Sequence, residues 1–111
     1  MSSPAERSEG KRTQVEKLCY VYMLASRRNG TIYTGVTSDL PGRTWNHRND
    51  IIDGFTKKYG VHILVWFEAH GDVIAAIARE KQIKKWNRAG KIRLIEKENS
   101  GWNDLYEKLI V

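Results

Sequence analysis

The sequence predicts an α+β fold of the α/β-sandwich kind, with a small central antiparallel three-stranded sheet flanked by helices. Three observations predict it. Two short runs rich in β-branched and aromatic residues, 17–25 and 31–37, are joined by a polar turn that ends in Asn29-Gly30. That pair is a strong hairpin signal, because both residues accept positive φ. A third run, 61–70, is dense in Ile, Leu, Val, Trp and Phe and reads as a buried strand. The segments after the second and third runs contain Asp39 and Asp72, residues suited to capping a helix N-terminus.

Taken in order, residues 1–16 are a polar leader without apolar periodicity, expected to be a disordered tail, which leaves 17–111 as one folded domain. In the first strand Leu18, Tyr20, Tyr22 and Leu24 alternate with Cys19, Val21 and Met23. Both sets are apolar, so a central strand covered on its two faces is expected. Gly35 interrupts the second strand, where a glycine marks a bulge or a close backbone approach. A helix is expected over 39–49, with Pro41 tolerated in its first turn and Leu40 and Trp45 as apolar anchors. Arg43 and His47 are four apart and share one face of it.

Residues 50–58 are less regular, with Ile51, Ile52, Gly54, Phe55 and Thr56 among them. Lys57-Lys58-Tyr59 is a basic-aromatic trio suited to phosphate contact and stacking, or equally an exposed loop whose tyrosine packs on the core. His62 and His70 flank the third strand with no partner at ligand spacing and read as surface residues. The longest helix is expected over 73–88 and a further helical segment over 91–98, with Gly90 as a left-handed cap between them. Asn99-Ser100-Gly101 is a turn, followed over 102–111 by a short helix or an extended packing tail.

At 111 residues the chain suffices for one modest core, and its 41% hydrophobic content lies in the globular range. Nineteen Lys and Arg against thirteen Asp and Glu give a net charge of +6. That charge favours polyanionic partners through counterion release, although it also serves solubility alone. Cys19 is the only cysteine, which excludes an intramolecular disulfide and a thiolate zinc cluster. As a small apolar side chain in a strand, it fits a reducing compartment. No apolar run approaches the roughly 20 residues that span a bilayer. The first residues lack the apolar stretch of a secretory signal, so the cytoplasm is the expected location.

One residue stands out by position. On a helix over 73–88, Val73, Ala76, Ile77 and Ile83 fall on one stripe with Glu80 in its middle, while Arg79, Lys81, Lys84, Lys85 and Arg88 occupy the rest of the circumference. A carboxylate on an apolar face is costly unless a cation meets it. Arg43 or a divalent metal could serve, and a structural ion pair is the simpler reading of the periodicity alone.

Several spaced blocks resemble the GIY-YIG nuclease family. Tyr20-Val21-Tyr22 corresponds to its first element and Tyr33-Thr34-Gly35 to its second, and Thr37-Ser38-Asp39-Leu40 with Arg43 and His47 resembles the next block. Residues 78–86, from Ala78 through Glu80 to Trp86, resemble the family's later signature. Asn99 with Trp102, Asp104 and Leu105 resembles the closing block of the small stand-alone bacterial members, with Ser100 where a proline is usual. Tyr20 and Thr34 replace the glycine and isoleucine of the two name-giving elements, removing no functional side chain. The resemblance runs over about 18–105, nearly the whole predicted domain.

What the resemblance implies is a metal-dependent endonuclease that hydrolyses DNA phosphodiester bonds, in repair or recombination. Glu80 would hold one Mg²⁺ or Mn²⁺ on the leaving-group side, as the only protein ligand. Arg43 would clamp the scissile phosphate. Tyr22 or Tyr33 would act as general base or orient water, and His47, titrating near neutrality, would take the proton on. Asn99 would position phosphate or support the site, and Lys57, Lys58, Lys84, Lys85 and Arg88 would contact the nucleic acid. With no appended recognition domain in the sequence, weak sequence preference is expected, a protein partner or the form of the DNA deciding where it cuts. Each residue also has a plainer fate: paired strand tyrosines usually just pack. A non-catalytic nucleic-acid-binding module keeping the fold is therefore the second reading. A repair-complex adaptor docking through exposed Trp45 or Trp102 is the third.

Overall fold

The strand β1 (Cys19–Ala25) organises the chain, because its two faces feed two separate cores. The computed structural model describes residues 18–49 and 54–109. The tail expected over 1–16, Lys17, Ile51, Ile52 and the last two residues lie outside them. Among the described residues eight elements follow in order: β1, β2 (Ile32–Thr37), α1 (Leu40–Arg48), α2 (Phe55–Tyr59), β3 (Ile63–His70), α3 (Val73–Lys84), α4 (Arg88–Glu98) and α5 (Tyr106–Leu109). The sheet order is β2-β1-β3 with both pairings antiparallel. This is the three-stranded α+β arrangement the sequence predicts, with β1 in the centre.

Alternation on β1 sets the layers. Val21, Met23 and Ala25 join Val65, Trp66, Ala76, Ile83, Ile95 and Trp102 under α3 and α4. Tyr22 and Leu24 join Leu40, Val61 and Leu64 on the opposite face, under α1. β3 contains a bulge: Met23 pairs with Trp66 and Leu24 with Leu64, so Val65 is the extra residue. The β1–β2 hairpin forms through a longer loop than a two-residue turn. Ser26 donates its amide to Thr31 O at 3.0 Å and Gly30 to Arg27 O at 2.9 Å, and Asn29 alone takes positive φ, at 58°.

Helix boundaries follow their caps. The Asp39 carboxylate accepts the Gly42 amide and that of Asp72 the Ile74 amide, as expected of both residues. The expected 73–88 helix ends earlier, at Lys84. Asn87 accepts the Gly90 amide at 2.9 Å and caps a new helix beginning at Arg88, so Gly90 lies in the first turn of α4 and is not a terminal cap. Trp45 is not an anchor. The inward face of α1 is Leu40, Thr44 and His47, spaced four and three, which turns Trp45 outward at 49% exposure. Trp102, by contrast, is buried, its indole N–H donating to Glu96 Oε2 at 2.6 Å. No helix among the described residues is long and apolar enough to cross a membrane.

Candidate active site

Gly35 creates the room in which the site is built. It pairs directly with Tyr22 across β1 and β2. A Cβ at position 35 would lie 2.7 Å from the Tyr22 hydroxyl and 3.0 Å from Tyr33 Cε2. The strand glycine therefore marks a close approach of two tyrosine rings, which sit 6.2 Å apart between centroids.

Over these rings lies His47 from α1. Its Nε2 is 3.3 Å from the Tyr22 hydroxyl, and its Nδ1 is 2.9 Å from Thr56 Oγ1 on α2. The Tyr33 ring packs 5.5 Å from the imidazole. Thr56 is buried, and α2 holds it there: Gly54 and Gly60, at φ 115° and 64°, bracket the helix, and the Val61 amide bonds the Thr56 carbonyl. The chain Thr56–His47–Tyr22 thus links α2, α1 and β1.

The electrostatics of this cluster bring in two further residues. Burial, then the neighbouring Tyr33, hold the Tyr22 hydroxyl well above the usual tyrosine range. Glu80 pushes the same way and Arg43 opposes, so both charges reach Tyr22. His47 is lowered from 6.5 to about 4, by burial first and then by Arg43 and His62. The expectation that His47 titrates near neutrality is corrected: it is neutral at pH 7. Tyr22 and Thr56 thus engage the two ring nitrogens of His47, and the Tyr22 hydroxyl also bonds Tyr33.

Glu80 lies on the inward line of α3, between the buried Ala76 and Ile83, with its side chain 12% exposed. Its Oε2 pairs with Lys84 Nζ at 2.6 Å. The cation that meets it is thus the lysine one turn on, itself half exposed. Val73 and Ile77, expected beside Glu80 on the buried stripe, are exposed at 52% and 38%.

Two expected residues, Asn99 and Arg88, are placed elsewhere. Asn99 is buried against β3, on the side of β1 away from β2. Its amide donates to Val65 O at 3.0 Å and Asn103 O at 2.9 Å, and its Oδ1 accepts the Asn103 amide. It satisfies the carbonyl at the bulge and fixes the closing loop, so both amide hydrogens are committed to backbone. Arg88 donates to the carbonyls of Asn29 and Gly30, at 2.5 and 2.7 Å, and holds the hairpin tip. Lys84 is engaged by Glu80. Lys57, Lys58 and Lys85 are exposed, the first two on α2 and the last at the end of α3. His70 is not a bare surface residue, since its Nε2 meets Glu68 Oε1 at 2.8 Å, where Arg79 also binds. His62 is half buried and acts on His47.

Thr56 escapes a reading of spacing alone, whereas the close approach at Gly35 is the one the strand glycine predicts. Thr56 lies nine residues beyond His47 in a stretch without clear periodicity, and only the fold of α2 turns it inward. The flanking glycines were the available signal.

Among the described residues no three His, Cys, Asp or Glu side chains cluster to hold a metal. A lone, largely buried carboxylate fits a hard ion that keeps most of its waters, such as Mg²⁺ or Mn²⁺, and does not fit zinc.

Residues 18–93 match the family model of the GIY-YIG catalytic domain. A UPF0213 protein of Clostridium perfringens is 35% identical over 91 residues, covering 82% of this chain and 96% of that protein. A UPF0213 protein of Staphylococcus haemolyticus is 31% identical over 77 residues, covering 69% and 93%. The solution NMR structure of a UPF0213 protein from Bacillus halodurans superposes with a TM-score of 0.50 at 26% identity, over 78% of this chain and 92% of that one.

Proposed function

This chain belongs to the GIY-YIG family, whose catalytic domain is of nuclease type, and from that membership we propose that it is a metal-dependent endonuclease hydrolysing DNA phosphodiester bonds with weak sequence preference, in repair or recombination. The observation that carries the proposal is the contact of Tyr22 with His47 inside a cluster whose charges are Arg43 and Glu80. Packing alone does not require a mostly buried carboxylate and an arginine acting on the same tyrosine.

The residues divide the work of hydrolysis. Arg43 binds the scissile phosphate through its planar fork and meets the charge that develops on the non-bridging oxygens. Tyr33 orients the attacking water from the rim of the cluster. The water oxygen bonds to phosphorus as the bridging P–O bond opposite it breaks; the water proton passes to the Tyr22 oxygen, the Tyr22 proton passes to His47 Nε2, and the departing oxygen takes a proton from solvent. Tyr22 never becomes a free tyrosinate, which suits a hydroxyl held above its ordinary range. His47 receives the proton because it is neutral beforehand, and a bound phosphate raises its basicity. Thr56 holds the ring for that transfer. A divalent ion carried by Glu80 would supply positive charge for the departing oxygen, and Lys84, half exposed, is able to move aside for it. Asn99 acts by fixing the loop that closes β3.

Labelled duplex, branched and single-stranded DNA incubated with Mg²⁺, Mn²⁺ or chelator, with the parent protein and Glu80→Ala, tests the proposal. Cutting that needs metal and disappears in the variant supports it. Binding by both proteins without cutting by either replaces it with the non-catalytic module.

A further inference from the structure

A row of aromatic rings leads out of the cluster. Tyr33 packs on His47 at 5.5 Å, Phe55 lies 6.1 Å from Tyr33, and Tyr59 lies 4.8 Å from Phe55. Phe55 and Tyr59 are 46% and 49% exposed. Lys58 stands over the Tyr59 ring at 5.5 Å. The two glycines that bracket α2 put Thr56 inward on His47 and leave the rings outward.

We propose that Phe55 and Tyr59, continuing from Tyr33, form a stacking site for unpaired nucleobases of a single DNA strand whose phosphates run past Lys58 toward Arg43. Three features argue for this occupant over any other. The rings are exposed yet contiguous, so they offer π-faces and not a greasy groove. A cation accompanies them on a chain of net charge +6, which matches a polyanion. The row ends at the residues to which the cleavage chemistry is assigned, so a strand stacked on it has its backbone beside Arg43. Duplex DNA cannot use such a row, because its bases are already stacked within the helix and present only their edges. This inference names the substrate form for the proposed nuclease and rests on that reading only for the direction of the strand.

The test is binding in chelator, where no cutting occurs. Fluorescence anisotropy of a labelled oligothymidylate of about 15 nucleotides is compared with that of a duplex hairpin, using the parent protein, Phe55→Leu, Tyr59→Leu and Lys58→Ala. Leucine keeps apolar volume and removes the ring. Each leucine variant is expected to bind the single strand about tenfold more weakly, with duplex affinity unchanged within about twofold and thermal stability retained. Phe55→Trp and Tyr59→Phe are expected to restore single-strand binding. Leucine variants that bind the single strand like the parent, or that lose single-strand and duplex binding equally, overturn the proposal. Ring-dependent single-strand binding by a protein that cuts no DNA leaves this inference standing and sinks the nuclease reading instead.

Discussion

The hydroxyl of Tyr22 lies over the α-carbon of Gly35, so near that a methyl group there would come within 2.7 Å of its oxygen and 2.8 Å of Cζ. These atoms belong to packed tyrosine rings, not to a flexible tip, so a side chain at 35 must displace Tyr22 from His47. Gly35→Ala is expected to cost about 1–3 kcal/mol of stability through overpacking. It is expected to slow cleavage by roughly 100-fold, because a shift near 1 Å at a reacting group is that costly. Thermal melts and cleavage rates measured together check this; a variant of parental rate would show that the close approach is not used.

His47 makes stability depend on pH. Its folded-state pKa, about 4, lies below its ordinary 6.5. Between those values the unfolded chain binds a proton that the folded chain does not, so stability rises with pH across this window. The contribution is complete above about pH 6.5 and is lost as pH falls through about 4. Urea unfolding from pH 7 down to 4 is expected to show this slope, flattened in His47→Gln. An equal slope in both proteins would place its origin in other groups.

Thr56 is the group that meets His47 Nδ1. Thr56→Val keeps the shape and removes the hydroxyl 2.9 Å from Nδ1, at a cost of about 1 kcal/mol. Cleavage is expected to fall about tenfold and its pH profile to move, with recovery in Thr56→Ser. Nitrogen-15 chemical shifts of the His47 ring are expected to show a mixture of tautomers in the valine variant and one tautomer in the parent.

If Glu80 holds the proposed metal, Lys84 competes with it. The pair is half exposed on the lysine side, so breaking it changes stability by less than about 1 kcal/mol. Lys84→Ala is expected to lower the Mn²⁺ concentration that half-saturates cleavage and to tighten Mn²⁺ binding seen by electron paramagnetic resonance. Glu80→Gln is expected to abolish both. Unchanged Mn²⁺ binding in Glu80→Gln would move the metal away from this carboxylate.

Arg88 separates structural from nucleic-acid roles. Its guanidinium holds the carbonyls of Asn29 and Gly30 from an exposed position. Arg88→Ala is expected to lose about 1 kcal/mol of stability and little DNA affinity, whereas Lys58→Ala is expected to reduce affinity and the salt slope. Denaturant midpoints and salt-dependent anisotropy distinguish the two.

The sequence by itself determined the three strands, the centrality of β1 and the caps at Asp39 and Asp72. Each is written in local alternation or in a side chain that serves its own neighbouring backbone. It also determined that Glu80 faces inward, because helical periodicity carries that information without reference to any other element. Only the tertiary structure decided what meets these residues. Asn87 overrode the continuous helical pattern because its side chain caps the next helix at Gly90. Trp45 faced outward because α1 spends its inner face on Leu40, Thr44 and His47. Burial together with the charges of Arg43 and His62 moved His47 from a neutral-pH titrant to a neutral base, and no spacing in the chain records that. Asn99 went to the bulge at Val65, a carbonyl whose need for a donor exists only once β3 has paired with β1. Local order follows from periods and caps. The chemistry of the site follows from desolvation and long-range contact, which arise when residues 22, 35, 47, 56 and 80 converge.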